Sequence, residues 1–180
     1  MLKITVPGLE LYDESKNEFI NYKDQILQLE HSLVSISKWE AKWHKPFLSD
    51  EDKTLEEIID YIKCMTITQN VKSDVYDRLT SDNIQTINDY IQDSMTATTF
   101  SDDKKKTGKK EIVTSEVIYY WMVTYNIPME CQKWHLNRLL TLVKVCTIKN
   151  SPPKKMSNSE IISRNKALNA ARRKKLNTKG

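Results

Sequence analysis

Glycine is nearly missing from this chain: three residues in 180, at Gly8, Gly108 and Gly180. Neither GxGxxG nor GxxxxGK[ST] can be written from those positions, which excludes the phosphate-cradling loops of nucleotide enzymes. A GxSxG nucleophile elbow is excluded for the same reason. Cysteine is equally scarce: Cys64, Cys131 and Cys146 are odd in number, widely spaced and without a CxxC pair. They cannot frame a disulfide scaffold, and free thiols in a reducing compartment are expected. No apolar run approaches the roughly 20 residues of a membrane helix. The opening MLKITVPGLE has neither the basic start nor the apolar stretch of a signal peptide. These absences together predict a cytoplasmic protein that has no membrane partner.

What is present is charge, distributed unevenly. From Lys149 to Gly180 ten basic residues face the single acid Glu160, a net +9, which leaves 18 basic against 23 acidic residues, −5, for residues 1–148. The break falls at Pro152-Pro153, where no helix can continue. Beyond it Ser157 and Glu160 stand at capping-box spacing, so a helix is expected to begin near Asn158 and run through EIISRNKALNAARRKK. Ile161, Leu168 and Leu176 are too few for a core. The organisation expected is a globular domain over 1–148 and a basic helical appendage over 149–180.

Within the domain, LKITV alternates as a half-buried strand does. LELY and EFINY flank the polar DESKN as a hairpin, and ILQLEHSL reads as a third strand with Leu27, Leu29, His31 and Leu33 on one face. These make a small antiparallel element over about residues 1–34. The pattern then turns helical. Ile36, Trp39 and Trp43 form one face that ends by Pro46, with the His44 imidazole expected on the last carbonyls. Thr54 with Glu57 opens a helix whose apolar face is Leu55, Ile58, Ile59, Ile62 and Met65, with Glu56, Glu57 and Asp60 on the solvated side. Shorter helices follow through DVYDRL and NIQTINDYI. TTFSDDKKKTGKKE reads as an exposed loop. Thr114 is the candidate cap of a helix bearing Val117, Ile118, Trp121, Met122 and Tyr125, broken at Asn126-Ile127-Pro128. A second long helix is expected from about Met129 to Cys146. The two would pair antiparallel as the heart of the core. The fold class is therefore mainly α: a small N-terminal antiparallel β element, a helical bundle and a basic C-terminal helix.

The tripeptide Lys-Trp-His occurs twice, at 42–44 and 133–135. Cys131 and His135, four apart on one expected helix, could face a zinc ion together, but no second Cys/His pair completes a four-ligand set. Cys131 with His135 is also a poor nucleophile and base, because that chemistry needs a base placed by the fold. No catalytic residue, metal or cofactor is expected, and the repeat reads as packing and capping. The four tryptophans lie on helical apolar faces, which favours core anchors over base-stacking platforms. Trp and Tyr also dominate interaction hot spots. Trp121, Tyr125 and Trp134 are therefore candidate partner-binding residues, joined by Arg164, Arg172, Arg173, Lys174 and Lys175 of the tail.

The stretch EVIYYWMVTYNIPMECQKWHLNRLLTLVKVC, with KWEAKWHKPF, CMTIT, MTATTF and the ending LNAARRKKLNTKG, resembles a family encoded in the tail gene module of long-tailed bacteriophages. Members are described as tail assembly chaperones. The likeness runs over almost the whole chain. It implies a non-enzymatic protein of the bacterial host cytoplasm that accompanies the tape measure protein, and other tail proteins, during tail assembly. Two alternatives stand beside it: a minor structural tail or connector protein of the virion, and a nucleic-acid-binding protein acting through its basic tail, whose +9 charge can neutralise phosphates.

Overall fold

The computed structural model describes residues 1–13, 17–100, 112–152 and 158–178. Residues 101–111 of the expected loop, residues 14–16 of the hairpin tip and the Ser157 cap fall outside them. Residues 1–146 form one compact unit and 147–180 a second. The architecture is mainly α, with an N-terminal antiparallel β element.

Strand β1 (Leu2–Val6) pairs antiparallel with β4 (Gln25–Leu29), and β2 (Leu9–Asp13) pairs with β3 (Glu18–Tyr22). The register is continuous: Val6 faces Gln25 and Leu9 faces Tyr22, so Pro7-Gly8 stands opposite Lys23-Asp24 as a break between two ladders. The chain thus makes one long interrupted ribbon. The expected third strand does exist, but it pairs with β1 and stops at Leu29, short of His31 and Leu33. Proline supplies no N–H at the break. The N–H of Gly8 donates to Asp24 Oδ1 at 2.6 Å. A Cβ at Gly8 would run into the Tyr22 carbonyl. Arg78 holds the same point, donating from Nη1 to the Pro7 carbonyl at 2.7 Å and lying over the Tyr22 ring.

The inner ladder is core: Ile4, Val6, Leu27 and Leu29 are buried. Its edges are covered, which removes a template for aggregation. Asn83 donates to the Thr5 carbonyl, while Ile67 N–H donates to Gln28 O and Glu30 N–H to Met65 O.

Helix α1 (Leu33–Trp43) is capped by a reciprocal Ser32–Ser35 pair and buries Leu33, Ile36 and Trp39 at three- and four-residue spacing. Helix α2 (Leu55–Met65) has the expected Thr54–Glu57 capping box. Ile62 and Met65 are buried as expected, whereas Leu55, in the first turn, is 75% exposed. Next come the one-turn α3 (Asp74–Asp77), α4 (Ser81–Gln92) with Ile87 and Tyr90 inward, and α5 (Ser115–Thr124). The long helix expected over 129–146 is two elements: a 3-10 helix at Met129–Lys133 and α6 (Leu136–Asn150). The closest helix pair is α1 with α2, and α1 also packs on α5 and the 3-10 helix. The heart of the core is therefore α1, not the pair flanking Asn126–Pro128. The reason is Trp39, which is 1% exposed and whose indole N–H donates to the Glu57 carbonyl at 2.9 Å. Burying such a ring contributes roughly 1.5 to 3 kcal/mol. In the second unit α7 (Asn158–Leu176) buries none of its side chains.

Candidate functional site

Helix α5 carries the strongest anomaly. Its sequence SEVIYYWMVT is apolar almost all round, which normally marks a helix enclosed on every side. Yet only Ser115, Ile118 and Met122 are buried, while Tyr120 is 66% and Val123 64% exposed. Trp121 and Tyr125 are half-buried and pack against the edge of the core. Thr114 is the N-cap by position, but its side chain does not make the capping bond. That work passes to Glu40 of α1: Oε2 accepts the Ser115 N–H and Oε1 the Phe47 N–H, both at 2.8 Å. A buried carboxylate at a helix N-terminus is favoured by the helix dipole. Asn126 ends the helix in the left-handed conformation, φ 51°. One face of α5 is thus fixed and the other left free of any covering among the described residues.

Trp134 follows the 3-10 helix, which Tyr119 ties to α5 by donating to Gln132 Oε1 at 2.9 Å. The Trp134 ring is half-buried, and the Arg138 guanidinium lies over it at 4.2 Å. Trp121, Tyr125 and Trp134 therefore belong to the same unit, each at the edge of the core. His135 is not mid-helix: it precedes α6 and bridges to Ser32. Its Nε2 donates to the Tyr90 carbonyl at 2.9 Å, and its Nδ1 accepts the Asn137 N–H at 3.3 Å. Both ring nitrogens are thereby used, and the i, i+4 zinc geometry with Cys131 is lost because the two residues share no helix. Among the described residues no group of three or more His, Cys, Asp or Glu is placed to hold a metal ion.

A second histidine, which the sequence placed on a strand face with Leu27, Leu29 and Leu33 but gave no partner, belongs to the same cluster. His31 is 2% exposed, shares a hydrogen bond with Tyr61 through Nδ1 at 2.5 Å, and lies edge-on to His135 with ring centroids 5.1 Å apart. Burial, then the neighbouring His135, pulls its pKa down to about 3. Burial likewise raises the Tyr61 and Tyr90 hydroxyls well above their ordinary range. Tyr90 donates to Glu30 Oε1 at 2.6 Å, and Glu30 Oε2 takes the N-terminal ammonium at 2.8 Å. These groups border a polar recess of about 280 Å³ with Trp134, His135 and Arg138 in its wall.

The acids of α2 also depart from expectation. Glu56 is exposed, but Glu57 and Asp60 are buried and face α1. Glu57 takes Lys45 at 2.7 Å, and Asp60 takes Lys42 and, at 3.0 Å, the Trp43 indole N–H. The pairing with Lys45 holds the Glu57 carboxyl below its usual range. On its other side α2 meets α4 across a mostly apolar groove of about 260 Å³, whose isoleucines Ile58, Ile62, Ile84, Ile87 and Ile91 are joined in the lining by Phe47, Tyr61, Asn88 and the cation Lys53.

Arg164, Arg172, Arg173, Lys174 and Lys175 all lie on α7, exposed, in the second unit. The sequence-derived candidates thus divide between the aromatic edge of one unit and the basic helix of the other. Among the described residues no helix is long and apolar enough to cross a membrane. No family model, curated protein or solved structure matches this chain.

Proposed function

We propose that this chain is a non-enzymatic binding protein of the tail gene module of long-tailed bacteriophages, a tail assembly chaperone that accompanies the tape measure protein. The observation that carries the reading is the pair of large apolar side chains, Tyr120 and Val123, that α5 leaves uncovered on a face shared with Glu116 and Thr124. Tyr120 and Val123 stand exposed on a helix whose sequence asks for cover, beside the half-buried Trp121 and Tyr125. Such a face suits the apolar stripe of a partner helix, and a tape measure protein is a long helical chain with many such stripes. The resemblance over almost the whole sequence supports the same reading.

The test is co-expression of the chain with tape measure fragments, wild type beside Tyr120→Asp/Val123→Asp. Both side chains are exposed, so the double variant keeps its fold. Wild type is expected to raise the fragments' solubility and to be captured with them, and the variant to lose at least tenfold in capture. Equal capture by the variant removes α5 from the interface, and failure of the wild type to bind any fragment overturns the reading.

One observation favours a second reading. The cations of α7 are distributed over its whole circumference, as expected of a helix laid against phosphates from several directions. Affinity for nucleic acid would then fall steeply with salt and vanish on removal of residues 158–180.

A further inference from the structure

We infer that the polar recess beside His135 is a binding site for a dianionic phosphate group. The recess measures about 280 Å³, just below the size of pockets that enclose drug-sized ligands and ample for a phosphate with a small substituent. Its one carboxylate is already engaged: Glu30 Oε1 accepts from the Tyr90 hydroxyl at 2.6 Å and Oε2 from the N-terminal ammonium at 2.8 Å. Both ring nitrogens of His135 are spent on the Tyr90 carbonyl and the Asn137 N–H. A cation entering the recess would therefore find no carboxylate oxygen without a partner. What the wall still offers is donors. Lys133 and Arg138 line it, and neither has an ion-pair partner among the described residues. The Trp134 indole N–H, in the same wall, takes no hydrogen-bond acceptor among them. A surplus of donors over acceptors selects a ligand that only accepts, which is an oxyanion.

Arg138 is also held ready. Its guanidinium rests on the Trp134 ring, 4.2 Å from the centroid, and its backbone lies in the first turn of α6, which the Leu136 N–H anchors to the His31 carbonyl at 2.7 Å. Stacking on an indole uses the face of a guanidinium and leaves its N–H edges for an oxyanion. Charge narrows the class further. The ammonium and Glu30 offset each other, so Lys133 and Arg138 leave the wall at +2. A phosphate monoester carries about −1.5 to −2 at pH 7 and three acceptor oxygens, which meets that surplus in charge and in donors. A carboxylate, or one phosphate of a nucleic-acid backbone, meets only half of the charge.

The test titrates the full chain, nuclease-treated, with inorganic phosphate at pH 7.5 and constant ionic strength, following the Trp134 indole N–H resonance. Wild type is expected to show a shift that saturates at millimolar phosphate. Arg138→Gln and Lys133→Gln are each expected to weaken the binding about tenfold, since each removes a charge-assisted contact. Both positions are exposed, so both variants keep their fold, which an unchanged thermal transition without phosphate checks. Phenyl phosphate separates the two sources of the group. Binding as tight as that of phosphate places it at the end of a larger molecule, and exclusion of phenyl phosphate confines the site to the free ion; either supports the assignment. The proposal is overturned if no saturable shift appears, or if acetate at the same concentration binds as tightly. It is overturned equally if Arg138→Gln binds phosphate as wild type does, which would put the anion on other cations, such as those of α7.

Discussion

The two Lys-Trp-His segments have one sequence and two fates. At 42–44 the tripeptide ends a regular helix: Lys42 and Trp43 both bind Asp60, and His44 closes α1 in the left-handed conformation, φ 54°, its backbone N–H on the Glu40 carbonyl at 2.8 Å. The expected imidazole cap is made by the backbone instead. At 133–135 the tripeptide lies outside any α-helix, Trp134 sits under Arg138, and His135 turns inward with both nitrogens engaged. A tripeptide therefore does not specify an environment. The first copy meets an acid one helix away, while the second meets the carbonyl of Tyr90, 45 residues earlier in the chain.

The comparison is easiest to break at the histidines. His135→Ala strands the Tyr90 carbonyl and the Asn137 N–H in the interior, and is expected to cost about 3 kcal/mol. His44→Ala removes an imidazole with no buried partner to strand, and is expected to cost well under 1 kcal/mol. Urea denaturation of the two variants measures both. Equal losses would mean that the two copies carry equivalent loads after all.

Acid sharpens the difference, because the second copy lies against a second buried histidine, His31. His31 is held neutral, with a pKa of about 3 in the folded chain against 6.5 in the unfolded one. Its folded pKa is depressed, so the unfolded state takes the proton first. The stability contributed is fully present above about pH 6.5 and is lost as pH falls toward 3, at a slope approaching 1.4 kcal/mol per pH unit, about 2 kcal/mol by pH 5. His31→Gln is expected to flatten the urea-derived profile between pH 5 and 6.5. A profile unchanged by that substitution would assign the acid loss to other groups.

The same contrast explains what the sequence could disclose. Regular spacing and local caps were legible: the Thr54–Glu57 box, the Ile36 and Trp39 face, the strands on either side of the turn, and the basic helix after Pro152. These depend on neighbours within a turn or a hairpin. Glu40, Glu57 and Asp60 were not legible as buried groups, since an acid on a helix is indistinguishable from a solvated one until its partners are known. Those of Glu40 include Ser115, 75 residues away. The 3-10 turn before Trp134 was hidden by an apolar pattern that also fits a helix. Of the candidate site, Trp121, Tyr125 and Trp134 do lie at a surface edge, but Tyr120 and Val123, the most exposed apolar residues of α5, were passed over. Periodicity shows how residues share a face and is silent on which face remains free.

Asp60 is where the first copy can be taken apart. Asp60→Ala leaves the Trp43 indole N–H without its acceptor and Lys42 without its ion pair. Lys42 is exposed and returns to water, so the loss is dominated by the indole and is expected to be about 1 kcal/mol. Thermal or urea unfolding measures it, and a loss as large as that of His135→Ala would erase the distinction between the copies.

The smallest expected effect has the opposite sign. His44 holds a φ of 54°, a region in which a side chain with a Cβ is strained and glycine is not. His44→Gly relieves that strain but adds freedom to the unfolded chain, and the two terms nearly cancel. Glycine is the commonest solution at this position of a helix end, so the balance is expected to favour it by about 0.5 kcal/mol. The tripeptide would then be shown to keep histidine at 44 at a small cost in stability, whereas His135→Gly must lose more than His135→Ala. A destabilised His44→Gly would mean instead that the imidazole does contribute to the end of α1, and that the two copies are more alike than their surroundings indicate.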